Sequence, residues 1–140
     1  MYVVDASVWV GRYVPGDRFH PASRSWLAAA LAGGELLVLP SLALVEVAGA
    51  LARRTGSDGS ARRAAALIAQ LPGVRVVPLD PSLTEAAVEL AARCRLRGAD
   101  AVYVGLAAGL GVPLVTWDDE QRRRAGAAIQ TFTPLDVAAR

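Results

Sequence analysis

The chain has 140 residues, 54% of them hydrophobic and 20% charged, with a formal net charge of +2. That is the size and apolar content of a single domain built around one core, and it excludes a disordered chain. A lone cysteine, Cys94, and a lone histidine, His20, exclude an internal disulfide and a His/Cys metal cluster, and with no leader-like start and no apolar stretch of roughly 20 residues the expectation is a soluble, cytoplasmic protein.

Tyr2-Val3-Val4 is a short apolar run ending in Asp5, and it reads as a buried strand. Ser7 is placed to cap a short helix after it, and Val14-Pro15-Gly16-Asp17 is a loop. Trp26 to Leu31 is helical, ended by Gly33-Gly34, and Leu36 to Leu39 is a second buried strand stopped by Pro40. Ser41 is a suitable N-cap for a helix running through Val45, Glu46 and Leu51 to Arg53-Arg54. Beyond the polar turn from Thr55 to Ser60, a helix spans Ala61 to Gln70 and is closed by Pro72-Gly73.

Val74 to Val77 forms a third strand. Pro81-Ser82 opens a long helix to Arg97, with Leu83, Ala87, Leu90 and Cys94 at helical spacing, and Gly98 breaks it. Asp100 opens the next helix, which ends at Gly109 and Gly111. Leu114-Val115-Thr116 is a fourth strand, Asp119 to Ala127 a short helix, and Ile129 to Phe132 a fifth strand. Continuous apolar strands alternating with helices predict a parallel sheet covered on both faces. With no internal repeat, low-complexity tract or linker, residues 1–140 read as one domain.

Three acids fall where strand gives way to loop or loop to helix. Asp5 ends the first strand, Asp118 follows the fourth, and Asp100 opens a helix. In an open α/β sheet ligands gather at the carboxyl ends of the strands, so Asp5 and Asp118 belong to one edge. Glu46 is a single charge within the apolar run Leu42-Ala43-Leu44-Val45-Glu46-Val47-Ala48. Taken singly, Asp100 also fits a cap, Asp118 and Asp119 a turn, Glu46 a solvent-facing position, and Asp5 a structural strand end. Taken together they favour a site. Gathered carboxylates repel unless a cation joins them, and a hard divalent ion such as Mg²⁺ or Mn²⁺ prefers oxygen ligands and promotes phosphoryl chemistry.

These residues resemble the PIN-domain family, and more narrowly the VapC-type toxins of bacterial toxin–antitoxin pairs. Val3-Val4-Asp5-Ala6-Ser7 is similar to the family's first motif and Pro40 to Val47 to the second, whose acid is Glu46. Gly98 to Ala107 is similar to the third, with Asp100, and Leu114-Val115-Thr116-Trp117-Asp118 to the fourth, with Thr116 and Asp118 in Thr-x-Asp positions. Each motif is short, but all four occur in order and cover essentially the whole chain.

The resemblance implies a three-layer α/β/α sandwich with a central, mostly parallel sheet of four to five strands. It implies an endoribonuclease that cleaves RNA phosphodiesters with a metal-activated water. Asp5 and Asp100 would ligate Mg²⁺ or Mn²⁺ directly, and Glu46 and Asp118 would complete the cluster. Ser7 and Thr116 would orient carboxylates or waters, as outer groups at metal sites do. Asp119, adjacent to the motif acid, would support it or take its place in part. A cognate VapB-like antitoxin and a homodimer are further implied partners. Trp9, Val10 and the helix from Val45 to Leu51 are places for a partner to dock or, equally, pieces of the core.

RNA requires positive charge beside so acidic a cluster. All 15 basic residues are Arg, and the chain contains no Lys. Arg122-Arg123-Arg124 lies just beyond Asp118, and Arg12 and Arg18 flank the loop after the first motif. A solvated helix face paired with Asp119 and Glu120 is the plainer reading of the Arg triplet. Trp9, Tyr13 and Trp117 are candidate stacking groups, and His20 reads as a loop residue. The absence of Lys argues against a receiver-type phosphoacceptor, and the chain length argues against a flap-type nuclease. A catalytically inactive RNA- or protein-binding module remains the alternative.

Overall fold

The shortest apolar runs of the chain are its deepest. Val3, Val4, Leu37, Val38, Leu39, Leu114 and Val115 are fully buried, as expected for strands covered on both faces. A computed structural model describes residues 1–139. Its five strands are β1 (Tyr2–Val4), β2 (Leu37–Pro40), β3 (Val74–Val77), β4 (Leu114–Val115) and β5 (Thr131–Phe132), all parallel, in the order β3-β2-β1-β4-β5. The register places Val3 beside Val38 on one side and beside Leu114 on the other.

Around the sheet lie α1 (Ala6–Tyr13), α2 (His20–Ala32), α3 (Ser41–Thr55), α4 (Asp58–Gln70), α5 (Pro81–Cys94), α6 (Gly98–Leu110), α7 (Asp119–Ala125) and α8 (Pro134–Ala138). The result is the α/β/α sandwich expected from the alternation of elements. Helix α6 is buried along its whole middle, from Ala101 to Ala107, because it lies against β1, β2 and β4 while α5 covers its outer side. Helix α1 packs against both α2 and α3, and α3 packs against α4. Trp9, Tyr103, Leu27 and Ile68 are among the largest fully buried side chains.

This strand order has one consequence for function. The chain leaves β1 towards β2 and β3, then returns past β1 to lay β4 and β5 on the opposite side. The reversal opens a crevice at the carboxyl ends of β1 and β4, where neighbouring connections diverge. Asp5 follows β1 directly, and its N–H donates to Val115 O of β4 at 3.0 Å.

Several helix ends differ from the sequence expectation. Asp5, not Ser7, is the N-cap of α1; its Oδ2 accepts the Ser7 N–H at 2.8 Å. Pro40 precedes α3, and Ser41 is its first residue; the Ser41 hydroxyl accepts instead from Leu79 N–H at 3.2 Å, tying α3 to the loop after β3. Helix α5 stops at Cys94 because Arg95 adopts a left-handed conformation (φ 55°), well before Gly98. Asp100 is the third residue of α6, which starts at Gly98.

Helix α2 begins earlier than expected, with His20 as its first residue, and the His20 ring nitrogen Nδ1 lies 2.9 Å from Gly11 O. Helix α8, closed by a reciprocal Thr133–Asp136 capping box, was not anticipated. Trp9 and Val10 are core residues, so neither is open to a partner or to a base.

Candidate functional site

Asp5 is held at the strand end by two donors. Its Oδ2 accepts the Ser7 N–H, and its Oδ1 lies 3.5 Å from the side-chain amide of Gln121. The carboxyl is almost fully buried, and that burial raises its pKa; the Ser7 and Gln121 bonds oppose the shift, and the charge of Asp100 adds to it. Gln121 is wholly buried with its Oε1 unpartnered among the described residues. The sequence reading missed this residue. Its only signal was an uncharged polar residue inside a run of charged ones.

Glu46 projects from α3 and accepts the Tyr103 hydroxyl of α6 at 2.5 Å. Burial raises the Glu46 pKa, and the charges of Asp5 and Asp100 raise it further, while the Tyr103 bond opposes them. Tyr103 is itself pushed above the usual tyrosine range by burial and by the same carboxylates. Asp100 is raised by burial as well, against the pull of Arg97 and with the repulsion of Asp118 and Glu120. Asp118 differs. It caps α7, accepting Gln121 N–H at 2.8 Å and the Arg97 guanidinium, and these bonds outweigh its partial burial and lower its pKa.

Two hydroxyls fix the loop that carries Asp118. Thr116 Oγ1 accepts Asp118 N–H at 3.0 Å, and Ser7 Oγ accepts Trp117 N–H at 3.1 Å. The two hydroxyls lie 3.5 Å apart. Ser7 and Thr116 therefore act on the backbone that presents Asp118, and Ser7 also bonds to Asp5.

Asp5, Glu46, Asp100 and Asp118 all line one open cleft of about 840 Å³, together with Ser7. Four arginines share its walls: Arg18, Arg53, Arg54 and Arg97. Arg97 donates to both Asp100 and Asp118, and the two acids hold its pKa above the usual value. Arg54 is paired with Asp17. Arg18 and Arg53 have no ion pair among the described residues, although the charge of Arg18 helps to lower the Asp17 pKa.

Other expected residues fall outside the cleft. Asp119 is 91% exposed at the side chain and pairs with Arg122 on its own helix. Arg124 pairs with Glu120 and donates to Arg95 O, while Arg123 is exposed. Arg122 and Arg124 thus have counterions on their own helix, and Arg12 lies over the Tyr13 ring. None of these four arginines lines the cleft.

Each carboxylate is turned to a protein donor: Asp5 to Ser7, Glu46 to Tyr103, and Asp100 and Asp118 to Arg97. Among the described residues, no three acids converge as a ready-made ion cage. The donor chemistry nonetheless suits a hard divalent cation. Every acid in the cleft offers oxygen; burial is the main cause that raises Asp5, Glu46 and Asp100, and the repulsion that adds to it would be relieved by a positive charge among them.

An acid-lined cleft at the reversal point of a parallel sheet defines an α/β protein whose site is built from strand ends and helix starts. Residues 2–127 match the PIN domain, and the chain belongs to that family. Solved structures share the fold. The VapC20 toxin of Mycobacterium tuberculosis, described as cleaving the sarcin-ricin loop, is 24% identical with a TM-score of 0.77, over 88% of this chain and 94% of that one. A toxin–antitoxin complex from Klebsiella pneumoniae is 16% identical, TM-score 0.68, over 96% and 98%. VapBC2 from Rickettsia felis, bound to promoter DNA, is 12% identical, TM-score 0.72, over 94% and 97%. Among curated proteins none matches by sequence.

Proposed function

We propose that the protein is a divalent-metal-dependent endoribonuclease, the toxin of a toxin–antitoxin pair acting in the cytoplasm. The observation that carries this reading is the convergence of Asp5, Glu46, Asp100 and Asp118 on one cleft that also holds the unpaired cations Arg18 and Arg53. Membership of the PIN domain family and the toxins among its structural neighbours support it. A VapB-like antitoxin is the partner this reading expects.

Asp5, Asp100, Asp118 and Glu46 would hold Mg²⁺ or Mn²⁺, which when bound supplies a Lewis acid and a more acidic water. The chain's own residues do the rest. Gln121 and Ser7 fix the Asp5 carboxylate, Tyr103 fixes Glu46, and Thr116 fixes the turn bearing Asp118. Arg18 and Arg53 draw the phosphate backbone against the repulsion of the acids. Arg97, already between Asp100 and Asp118, balances negative charge at the cleft mouth.

The test is cleavage of a labelled RNA mixture, with single- and double-stranded DNA in parallel. Mg²⁺, Mn²⁺ and EDTA are compared, beside Asp5→Asn and Asp100→Asn. RNA cleavage that needs metal and is lost in both variants is the expected result. Folded protein that binds RNA and cuts none of the panel overturns the nuclease reading in favour of an inactive binding module.

A further inference from the structure

Phe19 and Trp117 stack face to face, with ring centroids 4.2 Å apart and planes within 8°. The Arg18 guanidinium carbon lies over the same Phe19 ring, 4.4 Å from its centroid. A ring stacked this closely leaves no room for a second group on the same face, so Arg18 covers the opposite one. Phe19 and Arg18 line the acidic cleft, and Trp117 does not. The face of Phe19 opposite Trp117 is thus covered by an exposed arginine that has no ion pair among the described residues.

The platform beneath that arginine is firmly held. Trp117 Nε1–H donates to the buried Ser23 hydroxyl at 2.8 Å, and Trp117 N–H donates to Ser7. Ser23 sits close under α1 because residue 11 is glycine; a Cβ there would meet Ser23 Oγ at 2.6 Å. Phe19 N–H donates to Asp17 Oδ1 at 2.8 Å, and the other Asp17 oxygen is paired with Arg54 of α3. Trp117 immediately precedes Asp118, so the stack is built into the same turn as the acid site.

We infer that Phe19 is a stacking platform for an unpaired RNA base, with Arg18 as its movable cover, and that this contact positions the strand beside the acids. The inference rests on the ribonuclease reading above. Aromatic faces bind single-stranded bases with little sequence demand, and an arginine plane stacks on a base as readily as on Phe. On entry of a base, the Arg18 guanidinium either sandwiches it or swings to the adjoining phosphate. Both movements keep its charge in the cleft.

Two measurements test this on the full chain. The first is the affinity of fluorescein-labelled oligoadenylate, and of the same oligomer without bases, for wild type, Phe19→Leu and Phe19→Tyr. Phe19→Leu is expected to weaken oligoadenylate binding on the order of tenfold. Phe19→Tyr should restore it, and the abasic oligomer should not distinguish the proteins. The second is photocrosslinking of a 5-iodouridine oligomer to wild type, which should label the peptide that begins at Phe19.

Unchanged oligoadenylate affinity in folded Phe19→Leu, or crosslinks only elsewhere, overturns the platform while metal-dependent RNA cleavage by wild type still stands. Wild type that neither binds nor cuts RNA overturns the functional reading and this inference with it.

Discussion

The guanidinium of Arg97 donates to Asp118, 21 positions further along the chain, and to Asp100 three positions on. It is 60% exposed, and it stands where a divalent cation would compete for the same carboxylate oxygens. Removing it should loosen the metal-free site and favour the ion. Arg97→Gln is expected to bind Mn²⁺ several-fold more tightly, within about tenfold for one lost neighbouring charge near a protein surface. In EDTA its melting temperature should fall. Titration calorimetry with Mn²⁺ and thermal melts in EDTA check both signs; weaker Mn²⁺ binding would show that Arg97 chiefly positions Asp100.

Asp5 is a buried carboxylate with a raised pKa, so its ionised form costs stability at neutral pH, and the metal-free protein should gain stability as pH falls towards the raised value. Asp5→Asn keeps a good N-cap and removes the charge. It should stabilise the metal-free fold by about 1 kcal/mol at neutral pH, with a difference from wild type that shrinks in acid, while abolishing Mn²⁺ binding. Chemical denaturation in EDTA at several pH values measures this, and a destabilised variant at neutral pH would refute it.

Asp17 behaves oppositely. Its pKa is lowered, because the bonds from Phe19 N–H and Arg54 outweigh partial burial. The stability it contributes is present above the ordinary carboxylate range and is lost as pH falls through the lowered value. Asp17→Asn should therefore cost about 1 kcal/mol at pH 7, and that cost should vanish in acid. Denaturation midpoints of the two proteins should converge as the pH is lowered.

Gly11 and Ser23 are coupled through one close approach. Gly11→Ala drives a methyl against Ser23 Oγ and should cost about 1–3 kcal/mol. Ser23→Ala strands the Trp117 indole N–H and should cost about 1–2 kcal/mol. The double variant relieves the clash, so its loss should be smaller than the sum. Strict additivity in a double-mutant cycle would contradict the packing described.

Arg53 and Arg123 separate cleft charge from helix-face charge. Arg53→Ala should weaken RNA binding and reduce the salt slope by about 1, because one phosphate contact disappears. Arg123→Ala should change neither. Weakened binding and a reduced salt slope in Arg123→Ala, with Arg53→Ala unchanged, would place the RNA across α7 instead.

The sequence by itself determined the parallel sheet and the family, and it singled out the four acids that line one cleft. Runs such as Tyr2-Val3-Val4 and Leu114-Val115 are short and apolar, as buried strands are, and the carboxylates of Asp5, directly after the first, and Asp118, three residues after the second, belong to the strand-end edge. That signal is local, so it is legible without a structure. The partners of those acids were not legible, because they are set by contacts between segments distant in the chain. Gln121 reaches Asp5 across 116 positions, Tyr103 reaches Glu46 across 57, and Phe19, just ahead of α2, meets Trp117, just beyond β4, only in the fold.

The arginines show the same division. Arg122-Arg123-Arg124 lies near Asp118 in sequence, but at 3.6 residues per turn Arg122 reaches Asp119 and Arg124 reaches Glu120, Arg123 is exposed, and none of the three lines the cleft. Arg18, Arg53 and Arg97 come from three separate elements and meet only in the fold. The local pattern marked Asp5 and Asp118 as acids beyond strand ends; tertiary packing brought Glu46 and Asp100 from helices to the same cleft and decided which charges and rings face them.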